Sequence, residues 1–155
     1  MSHPAAPSLD FFAQLDVQVG PVHEVGATPA GNRRVIPITG GSAKGADWSA
    51  RVLPGGADFQ LIVTPSLARL DARYVLETDG GDLIYVSNQA IRVAAPEVTA
   101  KLVRGEPVDP ALVYFRCVPA FETASPALGW INERLFVGTG VRRPDRVEIA
   151  CFFLL

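Results

Sequence analysis

Asp58 and Gln60 lie two residues apart in the strand-like run DFQLIVT, residues 58–64. A period of two puts them on one face and Phe59, Leu61 and Val63 on the other. If the apolar residues form the core, Asp58 and Gln60 face water. If the polar face turns inward, Asp58 is a desolvated carboxylate with a raised pKa, suited to move protons on a bound molecule. Other polar residues sit in apolar runs in the same way. Arg73 offers a planar fork of donors for an anion or carbonyl, or else pairs with Asp71 at the surface. Tyr114, Arg116 and Glu122 share a phase opposite to Phe115, Cys117 and Phe121; that face either lines a lumen or meets solvent. Tyr74 and Tyr85 give a ligand an apolar wall and a phenol donor, or pack as ordinary cross-strand pairs. Trp130 and Asn132 share a face and either cap a ligand or seal the end of the fold.

Other chemistries find no residues to carry them. The stretch GGSAKG (40–45) is too short for a phosphate loop, and no Ser or Thr follows its Lys. Gly138-Thr139-Gly140 lacks a third glycine, and no Gly-x-Ser-x-Gly elbow occurs. The histidines are His3 and His23, too few for a usual zinc or iron site. No metal and no cofactor is therefore expected. With 14 basic residues scattered among 16 acidic ones and a net charge of -2, no nucleic-acid partner is expected. Residues 1–7 have neither the basic nor the apolar region of a signal peptide, and no apolar run approaches the ~20 residues of a membrane helix. Cys117 and Cys151, inside apolar runs, read as reduced thiols of a cytoplasmic protein, with a cross-strand disulfide as the alternative.

The elements that must position these groups are mostly strands. Leu70–Thr78 and Leu83–Asn88 flank Asp79-Gly80-Gly81-Asp82, a hairpin signal because glycine takes positive φ freely. A two-glycine loop would set Leu76 opposite Tyr85 and Arg73 opposite Asn88. In Leu9–Val19, the residues Phe11, Ala13, Leu15, Val17 and Val19 alternate on one face. Further runs at 33–39, 48–53, 58–64, 113–123, 130–140 and 146–154 bring the count to about nine strands. Pro96 and Gly105 bracket one short helix. Residues 1–8 read as a loose tail and 9–155 as one domain. Sequential hairpins favour a closed, up-and-down, lipocalin-like antiparallel barrel of eight to nine strands, which can hold one small ligand.

The stretches RRVIPITGG (33–41), VLPGGADFQL (52–61), LDARYVLETDGGDLIYVSN (70–88), RGEPVDPALVYFRCVPAFET (104–123) and WINERLFVGTG (130–140) resemble, in order, the family grouped as domain of unknown function 3237. That resemblance implies a small closed β-barrel that often self-associates. It implies no general chemistry. Asn132-Glu133-Arg134 departs from the family pattern, in which Arg follows Asn directly.

Together these readings point to a cofactor-independent isomerase, lyase or cyclase acting on a small oxygenated, hydrophobic or aromatic metabolite in the lumen. Asp58 is the expected base, Arg116 or Arg73 the stabiliser of an enolate or phenolate, and Tyr85 the proton donor. Gln60, Tyr74, Asn88, Tyr114, Glu122, Trp130 and Asn132 complete the expected lining. The alternative is a barrel that binds or carries the molecule unchanged. The run IACFFLL (149–155), apolar on both faces, must be covered by the helix or by a second subunit, so a homo-oligomer is expected.

Overall fold

Alternation of buried and exposed residues along the strands gives the sheet one apolar face, and the sheet closes on itself to bury it. The computed structural model describes residues 2–155. Its strands are β1 (Leu9–Val19), β2 (His23–Thr28), β3 (Gly31–Gly45), β4 (Ser49–Val52), β5 (Ala57–Thr64), β6 (Leu67–Thr78), β7 (Leu83–Val93), β8 (Tyr114–Thr123), β9 (Phe136–Arg142) and β10 (Arg146–Leu154), with one helix, α1 (Pro96–Val103). All pairings are antiparallel, and β1 joins both β10 and β3, which closes the barrel.

Eight lanes hold the ten strands. Arg33 and Arg34 of β3 pair with β2 on one edge and β5 on the other. The pair His23↔Val35 extends the line of Val19↔Ile38, so β2 continues the lane of β1 beyond Gly20-Pro21. Likewise Ala57↔Pro37 extends Arg51↔Ser42, so β4 and β5 share a lane broken at Pro54-Gly55-Gly56. Proline cannot donate to a ladder, and here it interrupts lanes rather than ending the sheet.

Three local expectations are corrected. Gly40-Gly41 does not end a strand; β3 runs through it. Gly41 has φ +130, and a Cβ there would lie 2.0 Å from Asp16 O, so only glycine fits this close approach. In β1 a bulge between Phe11 and Ala13 turns Phe12 into the core and leaves Phe11 exposed. The β6–β7 hairpin is one residue out of the expected register: Leu76 faces Ile84, Arg73 faces Ser87, and Asn88 faces Ala72. The reason is the loop. Gly81 N–H donates to Thr78 O at 2.9 Å, Thr78 N–H donates to Asp82 O at 2.8 Å, and of the two glycines only Gly81 has positive φ. A three-residue loop of this kind, a turn followed by one left-handed glycine, shifts the pairing by one. Tyr74 and Tyr85 therefore lie on opposite faces, Tyr74 inside and Tyr85 outside.

The two halves of the barrel are filled differently. At the end where β1 begins and β8 finishes, Phe12 packs on Phe136, Phe121, Trp48 and Trp130 with ring centroids 4.9, 5.1, 5.2 and 5.5 Å apart. Trp130 comes from a short 3-10 turn, Gly129–Glu133, and also covers Phe153 at 5.1 Å. The C-terminal strand is thus covered in part by this chain's own Trp130 and Phe11. The helix lies at the other end, where Arg34 donates to Val103 O at 3.0 Å. No helix among the described residues is long and apolar enough to cross a membrane. Cys117 and Cys151 are free thiols, both buried.

Candidate functional site

Inside the helix-capped half, strand alternation turns polar residues inward. Phe59 and Val63 are exposed, so the Asp58/Gln60 face of β5 is the one that meets the lumen. Asp58 is 8% exposed, Gln60 1%, Asn88 6% and Arg92 3%. With Tyr74 and the half-buried Arg142 they line a cavity of ≈ 40 Å³, room for a few waters or a small head group. Its remaining wall is largely apolar, with Ile36, Ile38, Leu70 and Ile149. Half-buried Val19, Arg142 and Val147 mark where it approaches solvent.

A chain of hydrogen bonds orients the carboxylate. Arg34, almost fully buried, donates Nε to Glu24 Oε1 at 2.9 Å, Nη1 to Gln60 Oε1 at 3.0 Å and Nη2 to Val103 O. A guanidinium has no acceptor, so the carbonyl of Gln60 must face it and the NH₂ must face away. That NH₂ donates to Asp58 Oδ2 at 2.9 Å. Asp58 Oδ1 has no partner, nor have Asn88 Oδ1 and Arg92 Nη2, all buried. Buried polar atoms are seldom left so, and three of them share one cavity.

Burial pushes the Asp58 carboxyl above its ordinary pKa, opposed by the Gln60 hydrogen bond and the Arg92 charge. Burial also brings the Arg92 guanidinium down to about 10, against the pull of Asp58. Arg142 is lowered by burial and by the nearby Arg34. The Tyr74 phenol is raised well above its usual value, chiefly by burial, and stays protonated. Among the described residues no group of three or more His, Cys, Asp or Glu is placed to hold a metal.

Of the residues singled out in the sequence, the cavity gathers Asp58, Gln60, Tyr74 and Asn88. The others lie elsewhere. Arg73 is outside, donating to both oxygens of Asp71 at 3.2 Å, the surface ion pair. Tyr85 is exposed beside it and pairs in register with the exposed Glu122. Arg116 lies outside over the ring of Tyr114 at 5.0 Å. In β8 the aromatic and sulfur phase, Phe115, Cys117 and Phe121, takes the core, which forces Tyr114, Arg116 and Glu122 out. Trp130 seals the aromatic end. Asn132 ties its 3-10 turn to Thr123 N–H and C=O, each at 2.9 Å. Arg134 donates to Glu133 O at 2.9 Å.

Arg34, Arg92 and Arg142 were not singled out. Their signal is parity: Arg92 is in phase with Ile84, Val86 and Asn88, Arg34 with Ile36 and Ile38, and Arg142 with Phe136, Gly138 and Gly140. An inward Asn88 already implied an inward Arg92.

Comparison with known proteins agrees with this architecture. The family described as Protein of unknown function (DUF3237) matches residues 7–154. A UPF0311 protein of Rhodopseudomonas palustris is 47% identical over 145 residues, 92% of this chain and 95% of that protein. Its crystal structure, that of a conserved protein of unknown function, superposes with a TM-score of 0.92 at 41% identity, over 98% of this chain and 100% of that one. A beta-barrel like protein from Acinetobacter baumannii gives 0.86 at 38% identity, with 100% of both chains covered. An enzyme from Penicillium herquei shares the fold, with a TM-score of 0.73 at 20% identity over 100% of this chain and 99% of that one.

Proposed function

The chain belongs to the DUF3237 family of proteins of unknown function, and from its cavity we propose an enzyme that works by acid/base chemistry of its own side chains. The reaction is an isomerisation, elimination or cyclisation of a small oxygenated metabolite. One observation carries this reading: Asp58 Oδ1 and Arg92 Nη2 are both buried, unpartnered and on one cavity. A base needs a free oxygen, and a developing enolate or phenolate needs a donor already in place.

Asp58 takes a proton through Oδ1, while Gln60 holds Oδ2 as an acceptor. Arg92 stabilises the negative charge that forms on the substrate oxygen. Tyr74 is the buried phenol able to return a proton, in the role first read into Tyr85. Burial strengthens each of these interactions by excluding water. The Penicillium herquei enzyme has the same barrel architecture.

The test is incubation of the protein with metabolite extracts, followed by mass analysis of retained and converted compounds. With a substrate in hand, kcat/KM rises with pH as the raised Asp58 carboxyl ionises. Asp58→Asn lowers kcat by roughly 10²–10⁴-fold, the span of one general base. Turnover unchanged by Asp58→Asn would remove the proposal. The alternative, a barrel that carries its guest, is supported by the apolar remainder of the wall. Retention of a compound without any mass change, equal in wild type and Asp58→Asn, would select it.

A further inference from the structure

The charges around the cavity do not balance. Arg34 is matched by Glu24 at 2.9 Å, and its other donors by Gln60 and Val103. Asp145 is engaged by Arg146 at 3.2 Å. Asp58 alone among the lining residues is a carboxylate, and it faces both Arg92 and Arg142. Arg142 at least donates to backbone carbonyls, of Arg143 and of Arg146. Arg92, 3% exposed, makes no side-chain hydrogen bond or ion pair with any described residue. One carboxylate set against two guanidinium groups, with no hydrogen bond to Arg92, leaves excess positive charge in a buried site, a costly arrangement. Water can hydrogen-bond such a group but cannot neutralise it.

The three unpartnered atoms also differ in kind. Arg92 Nη2 only donates. Asp58 Oδ1 and Asn88 Oδ1 accept. A guest that completes this set brings an anionic acceptor and at least one O–H donor, close enough together to fit the small cavity.

We propose that the guest is a small carboxylate that also bears a hydroxyl or enol group, its anionic oxygens on Arg92 and its O–H on Asp58 or Asn88. This deepens the acid/base reading and rests on it for the role of Asp58, but the Arg92 anchor stands independently of turnover. Placing the O–H on Asp58 Oδ1 puts the proton to be moved on the oxygen that Gln60 leaves free.

The probes are glycolate, lactate and mandelate, each against its neutral amide, with acetate, chloride and sulfate as further arms. Binding is read by calorimetry and by the shift in thermal midpoint. The hydroxycarboxylates are expected to bind saturably, with the amides at least about tenfold weaker, the loss of one charge-assisted contact. Acetate, lacking the O–H, binds more weakly than glycolate. Arg92→Gln abolishes the preference for acid over amide, and Arg92→Lys retains part of it. Arg92→Gln also takes a neighbouring positive charge from Asp58, so the unliganded midpoint of each variant is its own baseline; should Arg92→Gln fail to fold, Arg92→Lys carries the comparison. Equal binding of acids and amides would overturn the proposal. So would binding undiminished in the Arg92 variants, a midpoint shift given by chloride or sulfate alone, or no response to any hydroxycarboxylate. Asp58→Asn separates the two readings. Carboxylate preference kept in that variant supports the anchor whatever happens to turnover. Turnover lost in it, with no carboxylate preference in wild type, leaves the acid/base reading standing and removes this one.

Discussion

Asp58 takes its chemistry from its neighbours. Arg34 fixes the orientation of Gln60, Gln60 occupies Oδ2, and the free Oδ1 carries the proton when the group is neutral. Because burial raises its folded pKa above the ordinary 3.8, the native state holds this proton over a pH window where the unfolded chain has released it. Stability is therefore fully supported below the ordinary value and falls as pH rises toward the raised one. Asp58→Asn should flatten that slope, checked by denaturant titration across pH. A steeper fall in the variant would contradict this account of the carboxyl. Gln60→Glu acts in the opposite sense. It keeps an acceptor for Arg34 but sets a carboxylate oxygen against Asp58 Oδ2 in place of the NH₂ donor, so it should raise the Asp58 pKa further and steepen the slope.

At the scale of elements, the shape of the cavity depends on turns and glycines. In the β6–β7 hairpin Gly81 has φ +90, whereas Gly80 lies outside the left-handed region. Gly81→Ala should cost about 1–2 kcal/mol and Gly80→Ala much less, by equilibrium unfolding. Equal costs would restore the two-residue loop and with it the other register, in which Arg73 and not Ala72 faces Asn88. On β9, a Cβ at Gly140 would lie 2.7 Å from the ring of Phe115, which lines the cavity. Gly140→Ala is expected to cost about 1–3 kcal/mol as overpacking. It also narrows the site, so binding of any guest should weaken more than that of a surface variant of equal stability.

For the whole molecule, an aromatic plug at one end leaves the other end free to be polar. Phe12 touches four rings, from β8, β9, the β3–β4 turn and the 3-10 turn. Phe12→Ala should destabilise by about 3–5 kcal/mol while leaving the distant cavity able to bind once the protein is folded, which thermal unfolding and calorimetry together would show. The two thiols report on the same integrity. Burial pushes Cys117 up to about 11 and Cys151 upward as well, so neither forms the reactive thiolate readily. Both should resist a thiol reagent in the native state and react at the rate of global unfolding; fast labelling of the folded protein would show that the barrel opens locally.

Closed antiparallel architecture, the short helix bracketed by Pro96 and Gly105, and the candidacy of Asp58, Gln60, Tyr74 and Asn88 were all determined by the sequence alone, because alternation and turn residues act locally. Tertiary structure decided which phase of each strand faces in. For β5 the local pattern pointed either way, and only closure showed that Phe59 and Val63 are outside. In β8 it sent Arg116 and Tyr114 out because Phe115, Cys117 and Phe121 fill the core. Arg92 was legible by its phase with Asn88, but the excess of positive charge around it was not. An unmatched charge is a property of everything that surrounds it, and here those surroundings come from β3, β5, β7 and β9, strands far apart in the chain that meet only when the cylinder closes.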